Sequence, residues 1–134
     1  MTNLLVLWTD EQRADTIGAS GNPQIRTPNL NRLAERSIVF DQTYCAIPVC
    51  TPSRATILTG LWPHTHGALH NNIPLPLEAP TIAEFLRPNG YRCGYAGKWH
   101  LGNELQPQHG FLDGWSSTEA MDWCSPVRLA SRRP

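Results

Sequence analysis

The chain has 134 residues, with 11 basic and 11 acidic side chains, five histidines and four cysteines. That length suits one ordinary domain, and zero formal charge removes the electrostatic footprint of a nucleic-acid binder. The longest apolar run, Leu4–Trp8, falls far short of the roughly 20 residues needed to span a bilayer, and 40% hydrophobic residues with five tryptophans exclude a disordered chain. Charged residues are only 16%, against about 25% in an average soluble domain, and 12 prolines exceed the usual share. Such a composition reads as part of a protein surface rather than all of one.

The start of the chain is apolar without a preceding basic residue, and its run stops at Thr9-Asp10. It therefore lacks the charged start and longer apolar stretch of a secretory signal. Asn3–Trp8 reads instead as the first, buried strand of a cytoplasmic protein. Thr9–Arg26 is a polar loop with a helical turn. Thr27-Pro28 is a helix start, Thr as N-cap and Pro at the first position, and Leu30, Leu33 and Ala34 carry that helix to Arg36. Ile38-Val39-Phe40 begins a second strand running toward Tyr44. Thr51-Pro52 repeats the start signal for a helix through Ala55, Ile57 and Leu58, ended by Gly60. Leu61–Pro80 is a proline- and histidine-rich loop. Thr81 opens a third helix through Ile82, Ala83, Phe85 and Leu86, stopped at Pro88-Asn89-Gly90, and Tyr91–Ala96 is a third strand.

This order predicts an α/β fold with an incomplete, mostly parallel sheet flanked by helices. After Gly102 neither periodicity continues, so Asn103–Pro134 is expected without a helix or strand, and 116–134 as an irregular tail. A stretch that long without structure indicates that part of the fold is missing. The cysteines Cys45, Cys50, Cys93 and Cys124 form no CxxC pair and are expected as reduced thiols.

Cys50-Thr51-Pro52-Ser53-Arg54 lies where a loop enters a helix. That position puts Cys50 at a helix N-terminus, where unpaired N–H groups and the macrodipole favour an anion. Arg54, one turn on, offers a fork of donors for an oxyanion. On these residues alone two readings stand: a tetrahedral-anion site, or a buried cysteine beside a capped helix. Lys98 and His100 alternate at the end of the third strand, a spacing that points both the same way. Lys98 is the only lysine, beside ten arginines. His64, His66 and His70 are expected as loop or rim histidines rather than a metal site, and His109 at the surface. Asp113 and Asp122 receive no role.

Three segments together resemble the type I sulfatases. The run from Cys50 to Gly60, CTPSRATILTG, looks like their Cys-x-Pro-Ser-Arg signature, and that from Gly90 to Gly102, GYRCGYAGKWHLG, like their second. The strand ending in Asp10-Glu11-Gln12-Arg13 resembles their first metal-binding segment, and Thr27–Ala34 their first helix. The resemblance covers Asn3 to Trp115 and implies residues 1–115 as the N-terminal part of an alkaline-phosphatase-like catalytic domain.

The resemblance also implies the chemistry. Cys50 would be converted by a formylglycine-generating enzyme, a partner that recognises Thr51, Pro52 and Arg54. One hydroxyl of the hydrated aldehyde attacks sulfur, and the other drives elimination of sulfate. Asp10 and Glu11, together with the modified Cys50, match positions that ligate a divalent cation: calcium first, magnesium or manganese as alternatives. Glu11 departs from the more usual Asp or Gln there. Arg54, Lys98 and His100 match groups that bind sulfate oxygens and assist proton movement. The family's second pair of metal ligands and a further lysine and histidine have no counterpart in these residues. The expectation is thus a sulfate ester hydrolase fragment, inactive alone, lacking nucleic-acid or membrane partners and needing the C-terminal part of its fold. The alternatives are a phosphonate or phosphate monoester hydrolase with the same site, a non-catalytic truncated product, and a small zinc module.

Overall fold

The computed structural model describes residues 2–117, which divide between two units, Met1–Tyr44 and Cys45–Pro134. In the first unit the two expected strands do not form. Leu5, Leu7, Ile38 and Phe40 are 79%, 83%, 83% and 76% exposed. A strand needs a neighbour for its N–H and C=O groups and a layer for its apolar face. Neither run pairs with another strand among the described residues, so the apolar pattern is present without the strand.

Two short 3₁₀ turns, Ala14–Thr16 and Gly18–Ser20, occupy the predicted polar loop. Helix α1 spans Pro28–Ala34, with Thr27 at its N-cap position and two residues short of the expected end. The Thr27 hydroxyl does not cap it. It accepts the Gly18 N–H at 2.8 Å and donates to Asn31 Oδ1 at 2.8 Å, and that oxygen also accepts the Ala19 N–H at 2.9 Å. The close approach explains Gly18: a Cβ there would lie 3.0 Å from the Asn31 side chain and 3.1 Å from the Ile25 carbonyl.

In the second unit, helix α2 spans Cys50–Thr59 and starts ahead of the predicted Thr51 cap. Gly60, at φ 68°, closes it by returning its N–H to Thr56. Ala55 and Leu58 bury one face while Ile57 stays half exposed. The expected loop after it contains a further turn of helix, α3, Pro63–His66. Helix α4, Ile82–Leu86, opens with a full capping box. Thr81 Oγ1 accepts the Glu84 N–H, and the Glu84 carboxylate accepts the Thr81 N–H. A 3₁₀ turn, Arg87–Asn89, and Gly90 in the left-handed region end it where Pro-Asn-Gly was expected to.

Strand β1 is Tyr95–Gly97, shorter and later than the expected Tyr91–Ala96. It pairs in parallel with β2, Trp115–Ser117, in the register Tyr95 opposite Trp115. The parallel pairing agrees with an α/β fold, but the described sheet has two strands only. Strand β2 also corrects the expectation of no strand after Gly102: three residues are too few to show a period, and pairing with β1 makes them a strand. Ser116 and Ser117 of the expected tail thus lie in β2, while 118–134, including Asp122 and Cys124, fall outside the described residues.

The core of this unit is centred on Trp99, 0% exposed, and Leu101, 1% exposed. The rings of Tyr95 and Trp115 each approach Trp99 with centroids 5.0 Å apart, and Phe111 lies at 6.0 Å, geometries in which aromatic edges meet faces. His109 was expected at the surface and is instead 5% exposed, its ring 5.8 Å from Trp99. Neither of its nitrogens makes a well-formed hydrogen bond among the described residues. Burial pushes its pKa down, opposed by Glu84, by the Ala79 and Leu75 carbonyls and by Glu78. Asp113 receives a structural role. It takes hydrogen bonds from Arg87, Arg92 and the Cys93 N–H. Burial raises its pKa, but those three donors more than offset that and hold it below the ordinary carboxylate value.

Candidate active site

Cys50 is the first residue of α2, and its neighbours tie this helix start to the segment after β1. The Lys98 ammonium donates to Cys50 Sγ at 3.4 Å. Thr51, fully buried, donates its hydroxyl to the His100 carbonyl at 2.8 Å. The Thr51 N–H, one of the groups a helix start leaves without an intrahelical partner, donates to Asn71 Oδ1 at 3.0 Å. A basic side chain, a backbone carbonyl and a side-chain amide thus converge on one helical turn.

Arg54 was expected to offer its fork to an oxyanion. It is 5% exposed, and its Nη1 donates to the Lys98 carbonyl and contacts the Tyr95 hydroxyl at 3.4 Å. The Tyr95 hydroxyl also donates to the Lys98 carbonyl. These bonds clamp the backbone that carries Lys98.

His100 corrects the strand-alternation argument. Lys98 and His100 follow β1 rather than lie in it, and His100 has φ 55°, left-handed for a residue with a Cβ. Lys98 reaches the start of α2 through its side chain and His100 through its backbone carbonyl. The His100 N–H donates to the Glu104 carboxylate. Its Nδ1 is buried with no hydrogen-bond partner among the described residues.

The histidine loop separates into different roles. His64, within α3, and His70 are both exposed. His66 is 2% exposed: its Nδ1 accepts the Ala68 N–H at 3.2 Å, which leaves Nε2 to donate to Thr56 Oγ1 at 3.1 Å. Burial lowers its pKa, its own backbone opposes, and His64 lowers it further. It is a staple between α3 and α2. Cys93 is likewise structural; burial raises its thiol pKa, Arg87 lowers it and Asp113 raises it, and such a thiol is inert. No disulfide joins Cys45, Cys50 or Cys93 to one another.

Asp10 and Glu11 belong to the first unit. Both are exposed at a bend, and Glu11 has φ 55°. Asn71, Tyr95 and Glu104 received no role from the sequence. Asn71 lies 20 residues from the N–H it accepts, which no local spacing connects, whereas Glu104 lies only four residues after His100 but outside both signatures.

The chain is similar to known proteins. The family described as Sulfatase matches residues 2–126. The chain is 40% identical over 99 residues to the ulvan-active sulfatase of Formosa agariphila, covering 74% of this chain and 19% of that protein. It is 39% identical over 120 residues to arylsulfatase A of Bos taurus, covering 81% of this chain and 24% of that protein. Among solved structures, yidJ from Bacteroides fragilis superposes with a TM-score of 0.73 at 28% identity, over 84% of this chain and 30% of that one. BT4656, solved with its substrate D-glucosamine-2-N,6-O-disulfate, superposes with a TM-score of 0.72 at 34% identity, over 79% of this chain and 21% of that one. The chain spans about a fifth to a quarter of the length of the curated relatives it matches. It has the fold of this part of the solved sulfatases, and no helix among its described residues is long and apolar enough to cross a membrane. The chain belongs to the sulfatase family.

Proposed function

We propose that the chain forms the sulfate-binding end of a sulfuric ester hydrolase, residues 1–115 being the N-terminal part of its catalytic domain and of a larger, mostly parallel sheet flanked by helices. The observation that carries the reading is the 3.4 Å contact of the Lys98 ammonium with Cys50 Sγ at the first residue of α2. An ammonium and a helix N-terminus both stabilise negative charge on the terminal atom of residue 50. Lys98 holds that atom and the sulfate oxygens beside it. Arg54 fixes the Lys98 backbone by its bond to the carbonyl. His100 moves a proton at the sulfate end of the site.

Cys50 acts after conversion to formylglycine by a generating enzyme that reads Thr51, Pro52 and Arg54, and the hydrated aldehyde supplies the nucleophilic oxygen. By the resemblance, Asp10, Glu11 and residue 50 would ligate a divalent cation, and the donor chemistry of each suits one. Two adjacent exposed carboxylates are hard ligands suited to calcium, with magnesium or manganese next. The thiol of an unconverted Cys50 is too soft for such an ion, whereas a diol oxygen suits it. When bound, the cation polarises a sulfate oxygen.

The protein expressed from its complete reading frame tests this. Mass spectrometry of the Cys50 peptide should show a loss of about 18 Da, the difference in atomic masses between cysteine and formylglycine. Aryl sulfate should be hydrolysed faster than an aryl phosphonate monoester, and Cys50→Ala should abolish turnover. Chelation should remove activity that calcium restores. Faster phosphonate turnover, or full activity of Cys50→Ala, would refute the proposal.

A further inference from the structure

We propose that Glu104 is a positioning residue for His100: by accepting the His100 backbone N–H, its carboxylate holds the imidazole at the sulfate end of the site. The inference rests on the sulfatase reading above and names a residue outside both signature segments.

The left-handed backbone of His100 is disfavoured for any residue with a Cβ, and persists only where the surroundings over-determine it. Here side chains hold both backbone polar groups of the residue. Thr51 donates to the carbonyl at 2.8 Å, and Glu104 accepts the N–H. Trp99 on one side and Leu101 on the other are fully buried, so neither neighbour can move to relieve the turn. Glu104 is itself held, because Trp115 Nε1 donates to its carbonyl at 2.9 Å. Its loop is pinned from within by the Leu105 N–H on Asn103 Oδ1, at 2.8 Å.

A functional imidazole is commonly oriented by a hydrogen bond at its second ring nitrogen. His100 Nδ1 has no such partner among the described residues. The ring is therefore aimed by its backbone, and of the two backbone holders only Glu104 is charged. A carboxylate accepting an N–H makes a stronger bond than a neutral acceptor, which suits a strained turn.

Two measurements test this in the protein expressed from its complete reading frame. The His100 amide proton should resonate far downfield in the wild type and move upfield in Glu104→Ala, with Glu104→Gln intermediate. With para-nitrophenyl sulfate, Glu104→Ala should lower kcat about 100-fold, the scale of a misplacement of about 1 Å, with KM within a few fold. In a His100→Ala background the same change should have no further effect, since coupled residues are non-additive. An amide resonance that stays in place overturns the proposal, and so does a loss of kcat that is additive with His100→Ala. A displaced amide in a wild type that hydrolyses no sulfate ester would refute the sulfatase reading, and the positioning role with it. An active wild type with additive losses refutes the positioning role alone.

Discussion

The proposed chemistry rests on a few residues whose partners are far away in sequence. Lys98 reaches Cys50 across 48 positions, and Thr51 reaches His100 across 49. If the ammonium stabilises charge at residue 50, Lys98→Met should lower kcat about 10²- to 10³-fold, as removal of one preorganised donor does, with little change in thermal midpoint; steady-state assays and calorimetry check both. His66 carries a separate pH effect. Its folded pKa lies below the ordinary 6.5 because burial disfavours the imidazolium. Above about pH 6.5 the ring is neutral in both states and its contribution is fully present. As pH falls below that value, the unfolded chain takes up a proton that the folded site resists, so stability is lost until the folded pKa is passed. Protonating Nδ1 would also break its bond from the Ala68 N–H. Thermal midpoints between about pH 7 and pH 5 should therefore fall less steeply in His66→Gln than in the wild type. An equal slope would place the acid sensitivity elsewhere, with His109 as the next buried imidazole whose pKa is held down.

At the scale of elements, turn and cap chemistry was legible and exact starts were not. Gly60 and Gly90 end their helices as expected, because only the left-handed region closes those turns and glycine enters it without strain. Both Thr-Pro signals marked a helix start, yet neither threonine caps: Thr27 bonds to Gly18 and Asn31, and Thr51 to His100. A hydroxyl finds whichever partner the fold presents, and local sequence does not contain that partner. Thr81 does cap, and its hydroxyl also donates to the His109 carbonyl at 2.7 Å. Thr81→Ala should cost about 1–2 kcal/mol in urea unfolding. Two glycines separate conformational strain from crowding. Gly60→Ala meets nothing within 4 Å and should cost about 1 kcal/mol. Gly110→Ala would bring a Cβ within 2.7 Å of the Glu84 N–H nitrogen at φ 79°, and should cost at least ~3 kcal/mol.

At the scale of the whole molecule, the apolar runs Leu4–Leu7 and Ile38–Phe40 lie exposed. Unpaired apolar segments of high strand propensity promote association. The 134-residue chain should therefore self-associate with rising concentration in light scattering. Leu5→Lys with Phe40→Lys should suppress this without lowering the thermal midpoint, since neither side chain is buried. Sequence by itself determined the family and the helix stops, because those depend on residue identity at short spacing. It also predicted strands at both apolar runs, and neither forms among the described residues, because strands need partners and pairing is a long-range property. The tertiary structure alone decided that the short β2 pairs with β1, that His109 is buried against Trp99, and that Asp113 anchors two arginines. It alone brought Asn71 to the Thr51 N–H across 20 positions and Tyr95 to Arg54 across 41. Hydrogen bonds across 20 or more positions depend on where the chain returns in space, and no local pattern encodes that return.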